Sequence, residues 1–182
     1  MKRTIFLTFL LVLSMKAMSQ ENAFTLSGGY AFANVADVDL NGTGWRVNGL
    51  YEFNPSGSNI AHGFSFGYIT VSATEGTEPD YIKYTVNSLP IYYAPKWLFG
   101  SEKIKGFVKG ALGMHFAAVK REGMSNVDDN DFGFYGGIGA GGLFFLNEKI
   151  FINIEYELAY VSNAWYKDKM MNTVGGGIGF RF

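Results

Sequence analysis

The sequence predicts an all-β protein: eight antiparallel strands in up-and-down order, closed into a transmembrane barrel behind a cleavable signal peptide. Three observations predict it. Apolar residues alternate with small or polar ones in segments of about ten residues, the length a tilted strand needs to cross a bilayer. Glycine and aromatic residues are both abundant, with 24 Gly, 17 Phe and 11 Tyr in 182 residues. Strands with bulky groups on one face and tiny ones on the other use both. Finally, wherever the register is clear, charged residues within strands fall on the face opposite the aromatics.

Residues 1–19 have the layout of a secretory signal peptide. Lys2 and Arg3 form a positive start, 5–13 is an apolar run, and Ala17-Met18-Ser19 places small residues where a signal peptidase reads them. Cleavage is expected after Ser19, leaving a barrel domain over 20–182. The apolar run is too short to span about 30 Å of hydrocarbon, so export is expected rather than anchoring. Losing Lys2, Arg3 and Lys16 leaves 12 basic residues against 16 acidic ones, a formal charge of −4. Such a balance, without a clustered basic face, gives no reason to expect nucleic acid as a partner. The absence of cysteine rules out disulfides, thiol nucleophiles and zinc–thiolate sites.

The strands follow in order. The first, about 24–33, sets Phe24, Leu26, Gly28, Tyr30 and Phe32 against Thr25, Ser27, Gly29, Ala31 and Ala33. The second, about 44–53, sets Trp45, Val47, Gly49, Tyr51 and Phe53 against Arg46, Asn48, Leu50 and Glu52. A turn-forming run at 54–59 precedes the third, about 62–73, in which Phe64, Phe66 and Tyr68 oppose Gly63, Ser65 and Gly67. In the fourth, about 82–94, Pro90 removes a ladder donor, so a bulge or register shift is expected there. The pattern leaves open which face Leu89 and Ile91 take. The fifth, about 106–119, groups Val108, Leu112, Met114 and Phe116 against Lys109, Ala111, Gly113, His115 and Ala117. The glycine-rich sixth, about 132–145, offers Phe134, Ile138 and Phe144 as outward residues. The seventh is the sharpest: Ile150, Ile152, Ile154, Tyr156, Leu158 and Tyr160 oppose Asn153, Glu155 and Glu157. The eighth, about 171–182, sets Val174, Ile178, Phe180 and Phe182 against Thr173, Gly175, Gly177, Gly179 and Arg181.

A soluble sandwich also alternates, but it needs an apolar inside. Here the small and polar face has too little bulk for a hydrophobic core, so it is read as the interior and the aromatic face as lipid-facing. An even strand count puts both ends in the periplasm, with outward links near 34–43, 74–81, 120–131 and 163–169. No plug, lid or second domain is expected.

The inward set is then Arg46, Asn48, Glu52, Lys109, His115, Asn153, Glu155, Glu157 and Arg181. Charges in a low-dielectric interior must pair or meet water, so an ion-pair and hydrogen-bond network filling the barrel is expected. The sharper alternative is a narrow solute path, but eight strands leave room only for side chains or one small ligand. The lipid-facing set is Trp45, Tyr51, Phe64, Phe66, Tyr68, Ile152, Ile154 and Tyr156.

Three stretches carry a resemblance: Gly106-Phe107-Val108-Lys109-Gly110-Ala111-Leu112-Gly113, the glycine-rich strand around 136–142, and Gly177-Ile178-Gly179-Phe180-Arg181-Phe182. With them the chain resembles the small outer-membrane β-barrel family of Gram-negative bacteria, of the OmpX and OmpA transmembrane-domain type. The resemblance implies residence in the cell outer membrane, with outer-membrane lipid and lipopolysaccharide as surroundings and a monomeric barrel. It also implies that Ile178, Phe180 and Phe182 form an insertion signal read by the barrel assembly machinery. The family holds porin-like, adhesive and structural members, so it does not fix a ligand.

Other motifs read as structure. Gly137-Ile138-Gly139-Ala140-Gly141-Gly142 matches a dinucleotide fingerprint in letters but sits inside a strand, with no helix to follow. Asp37-Val38-Asp39-Leu40-Asn41-Gly42 starts like a calcium loop, yet its twelfth position is Asn48. Asp128, Asp129 and Asp131 read as a solvated acidic turn rather than a metal site. An outer-membrane lipid A deacylase would need a His-x-Ser pair, and Ala117 and Phe64 stand where His115 and His62 would require serine. Glu155 and Glu157 could in principle form an acid/base pair, but no cleft accompanies them. The expectation is a non-enzymatic barrel without cofactor or metal, structural or surface-interacting in role. The alternatives are a narrow porin-like or hydrophobic-compound channel and, more remotely, a lipid-modifying enzyme. Deleting residues 180–182 is expected to leave the protein in the periplasm, where it is degraded; fractionation showing unchanged outer-membrane levels would contradict the insertion signal.

Overall fold

The computed structural model describes residues 20–35, 40–55, 58–77, 80–123, 127–162 and 165–182. The signal-peptide expectation at 1–19 lies outside these residues, as do Asp37, Val38 and Asp39 of the calcium-like run. The described chain forms eight strands: β1 (Gln20–Val35), β2 (Leu40–Pro55), β3 (Ile60–Thr77), β4 (Asp80–Gly100), β5 (Ile104–Gly123), β6 (Val127–Phe145), β7 (Ile150–Val161) and β8 (Tyr166–Arg181). Each is antiparallel to the next, and β8 pairs with β1 to close the barrel.

The register fixes the barrel's shape. From Ala23, the ladder steps through Glu52, Gly63 and Ala94, crosses to Ala111 in the register set by the flanking Tyr93–Leu112 and Lys96–Lys109 pairs, and continues through Gly137, Ala159 and Met171 to re-enter β1 at Ala33, ten residues on. Eight strands with that stagger tilt by roughly 40°, which leaves an interior only as wide as its side chains.

Pro90 produces no register shift. Phe66 opposite Ile91 and Ile69 opposite Ser88 keep one register across it, and only the pairing between them is interrupted. Pro95 interrupts the β4–β5 ladder in the same way, between the Tyr93–Leu112 and Lys96–Lys109 pairs. A missing N–H removes a bond without adding a residue, so the alternation survives and Leu89 and Ile91 both face outward, 50% and 53% exposed. In the β1–β8 seam the register shifts between Ala33 and Val35.

The strands are longer than the ten residues expected, at 12 to 21 residues. The expected links at 34–43, 74–81 and 120–131 are largely strand. Their length has a physical reading in the side chains. On the outer wall of β5, apolar residues run from Ile104 to Phe116, twelve residues or roughly 30 Å along the membrane normal at that tilt. Beyond that height the outer wall turns polar: Thr43, Thr70, Ser72, Thr85, Asn87 and Lys120 occupy outward positions. The interior changes at the same end. Val35, Ile69, Val71, Val86, Val119, Val161, Tyr166 and Met171 pack there as an apolar core. The expectation that the inner face is too small for a hydrophobic core is therefore corrected. Past the membrane the outer wall is wet, and the ordinary polar-out, apolar-in arrangement returns.

β3 to β6 also outrun their neighbours. β2–β3 pairing stops at Thr43 opposite Ser72, while β3–β4 pairing continues to Thr77 opposite Asp80. β6–β7 pairing stops at Tyr135 opposite Val161, while β5–β6 pairing continues to Arg121 opposite Val127. A four-stranded sheet thus stands out from the end opposite the short turns, the extracellular end.

Ile138 lies opposite Gly110, midway along the apolar belt of β5. Ile138→Arg is expected to cost about 2–4 kcal/mol and Thr85→Arg about 0–1 kcal/mol in urea unfolding from phospholipid bilayers. Equal costs would contradict this placement of the membrane.

Candidate functional site in the barrel interior

Alternation sends the even-numbered residues of β2 and β4 and the odd-numbered residues of β5, β6, β7 and β8 inward. Register then decides which of them share a level. Lys109 on β5 stands opposite Gly139 on β6, which stands opposite Glu157 on β7. Arg46 on β2 stands opposite Gly29 on β1, then Gly175 on β8, then Glu155 on β7. Each cation and its carboxylate are thus separated along the wall by glycine alone. A Cβ at Gly139 would lie 2.9 Å from Cε of Lys109, so a side chain there would displace the lysine.

Across those gaps the four charges meet. The Lys109 Nζ lies 2.6 Å from Glu155 and 2.5 Å from Glu157, and the Arg46 guanidinium lies 3.3 Å from each carboxylate. The remaining donors and acceptors are largely occupied. Arg46 donates to Oγ1 of Thr173 at 2.6 Å and to Oδ1 of Asn48 at 3.0 Å, and Asn48 also accepts from Ser27 at 2.9 Å. Glu157 accepts a short hydrogen bond from Tyr135 and a longer one, 3.4 Å, from Tyr92. The two tyrosine rings stack at 4.9 Å.

Nearer the periplasmic end, Lys96 pairs with Glu52 at 2.7 Å and lies 4.5 Å above the Phe107 ring. Phe107, Leu143 and Phe151 close the space beneath. The buried charges are three cations (Arg46, Lys96 and Lys109) and three carboxylates (Glu52, Glu155 and Glu157), so among the described residues the interior is neutral. Neutrality is what a low-dielectric interior requires, because an unmatched ion costs several kcal/mol. Within the network there remains a cavity of about 10 Å³ bounded by Ser27, Arg46, Glu155 and Thr173, room for about one water.

Eight of the nine expected inward residues are buried in the barrel. Arg181 is the exception, since it sits at the periplasmic mouth, pairs with Glu21 at 3.4 Å and lies over Phe145. Asn48 belongs to the quartet's hydrogen-bond shell, whereas Asn153 and His115 stand apart from it. Neither ring nitrogen of His115 nor Oδ1 of Asn153 has a hydrogen-bond partner among the described residues. Sequence reasoning missed Lys96, Tyr92 and Tyr135; it put Ser27 and Thr173 on the inward face without counting them in the network. Continuing the even-numbered face of β4 through both prolines would have found Tyr92 and Lys96. Tyr135 was hidden by the assumption that aromatics face lipid.

On the outer wall Trp45, Tyr51, Phe64, Phe66, Ile152, Ile154 and Tyr156 are exposed and Tyr68 is half-buried. Ile178, Phe180 and Phe182 also face outward. His62 lies on this wall too, hydrogen-bonded to the Tyr93 hydroxyl and stacked on Phe53. Asp129 and Asp131 each accept a hydrogen bond from the next residue's backbone N–H at 2.8 Å.

Removing one partner of the quartet exposes its cost. Lys109→Met is expected to lower stability by about 3–5 kcal/mol. Adding Glu157→Gln, which restores neutrality, should recover part of that loss, and urea unfolding of the single and double variants checks it. Strictly additive losses would mean that the two charges do not act together.

Solved structures share this architecture. Neisserial surface protein A superposes with a TM-score of 0.66 at 12% identity, over 88% of this chain and 97% of that one. Ail, the attachment invasion locus protein of Yersinia pestis, superposes with a TM-score of 0.55 at 19% identity, over 88% and 99%. At such identities the likeness is one of fold alone. A comparison with curated proteins found no match. The family model for the outer membrane protein beta-barrel domain matches residues 5–182. With the closed eight-stranded wall and its lipid-facing aromatics, that match makes the chain a member of the outer membrane β-barrel domain family.

Proposed function

We propose that the protein is a non-enzymatic, non-conducting outer-membrane barrel with a structural or surface-interacting role. The observation that carries this reading is the filled interior. The quartet of Arg46, Lys109, Glu155 and Glu157 occupies the middle, and apolar side chains pack above and below it. A continuous water path would require several of these ion pairs to open together.

The non-enzymatic part is supported by where the candidate groups lie. His115 is fully buried, and Glu155 and Glu157 are both held by cations. The surface-interacting part is supported by the β3–β6 sheet, which lifts backbone and side chains beyond the membrane. Ail, a protein of this fold, has been seen in complex with the heparin analogue sucrose octasulfate. In this reading the chain is exported with loss of residues 1–19 and inserted by the barrel assembly machinery through Ile178, Phe180 and Phe182. It then stands as a monomer among outer-membrane lipid and lipopolysaccharide.

In planar bilayers the purified barrel is expected to show no stable unitary conductance. Unitary steps that change with Glu155→Gln or Lys109→Met would replace this reading with that of a narrow channel.

A further inference from the structure

The acidic run that reads as a solvated turn in sequence lies in a strand. Asp128, Asp129 and Asp131 belong to β6, in the part of the extracellular sheet that has left its β7 neighbour behind. β6–β7 pairing ends at Tyr135 opposite Val161, and one further contact holds Phe134, so among the described residues 127–133 form an open edge. Such an edge presents a row of N–H and C=O groups with which a second chain can pair. Closing the barrel removes that hazard inside the membrane but not above it.

Antiparallel pairing turns alternate residues toward each neighbour. Phe134 fixes the phase. Its C=O accepts from the Ser162 N–H at 2.9 Å, and its own N–H donates to Oγ of Ser162 at 2.8 Å, so Phe134 faces the β7 side. Phe132 and Asn130 therefore turn their N–H groups to the same side, where the neighbouring strand is missing. Both donors are already used. Phe132 donates to Oδ1 of Asp131 and Asn130 to Oδ1 of Asp129, each at 2.8 Å. Three successive open-side donors are thus taken by side-chain oxygens. An incoming strand would bring carbonyls that find no donor, and an acceptor buried without a partner is costly.

The rest of the sheet margin is short. Beyond Asn130 only 127–129 remain. On the far edge β3 outruns β2 from Ala73 onward, and a φ of 82° at Gly76 leaves only 73–75 before the hairpin bends. The stretch of β6 that carries the aspartates is therefore where a second chain would gain most, and there the donors are closed.

We propose that Asp129 and Asp131 are edge caps: by occupying the Asn130 and Phe132 N–H groups they shut the β6 edge to strand addition by a second copy of this chain. The inference deepens the monomeric, surface-exposed reading given above and rests on it.

The test uses the full barrel purified in detergent, with native mass spectrometry over a range of concentrations. The unaltered barrel is expected to stay monomeric. Asp129→Ala with Asp131→Ala frees both donors and should give concentration-dependent dimers. Asp129→Asn with Asp131→Asn keeps an acceptor oxygen at each position and removes the charge, so this pair should stay monomeric where the alanine pair associates. Adding Asn130→Pro to the alanine pair deletes one freed donor without breaking the β5–β6 ladder, because that N–H points to the open side. It should weaken the dimer about tenfold, as loss of one hydrogen bond does. Heat-dependent migration on gels shows that each variant is folded. Amide exchange followed by NMR on the unaltered barrel needs no variant: the Asn130 and Phe132 amides should exchange about tenfold more slowly than free amides, although no strand covers them. The proposal is overturned if those amides are unprotected, if the alanine pair stays monomeric, if the asparagine pair associates equally, or if the proline leaves the dimer unchanged. A dimeric unaltered barrel would overturn the monomeric reading as well, whereas the other results overturn the caps alone.

Discussion

Hydrocarbon offers no hydrogen bond and no screening, and the rest of this structure follows from that. A strand placed in it must give every N–H and C=O to a neighbour, so the sheet has to close on itself. Eight strands with a ten-residue stagger achieve closure at a diameter that admits side chains and little else. The same medium demands that charges turned inward sum to zero, and the three cations and three carboxylates do so.

Glycine connects these two demands. In a narrow barrel, two long charged side chains can meet only if the wall between them is bare. Gly139 lies between Lys109 and Glu157, and Gly29 and Gly175 lie between Arg46 and Glu155. Tyr92 and Tyr135 complete the arrangement by bringing hydroxyls to Glu157 while their stacked rings exclude water.

The membrane boundary is written on both faces of the wall. Outside, aromatic and aliphatic residues give way to threonine, serine, asparagine and lysine. Inside, the charged layer gives way to valine, isoleucine and tyrosine at the extracellular end. One chain therefore contains an inside-out barrel and, above it, the apolar-cored end of an ordinary one. The β3–β6 sheet belongs to this transition, where the wall meets both head groups and solvent.

The sequence by itself determined strand number, the face that side chains take wherever the register was clear, and the inverted polarity within the bilayer. Alternation with a period of two is local, and in β7 it is unbroken. It even survived Pro90, where a missing donor was mistaken for a shift. Strand length was not legible, because the polar outward residues above the membrane look like loop residues when the inside is assumed to be polar throughout. The tertiary structure alone decided who meets whom. Lys109 and Glu157 are 48 positions apart in sequence, and Lys96 and Glu52 are 44 apart. Their pairing depends on the registers of the two ladders that lie between each pair, which no single segment encodes.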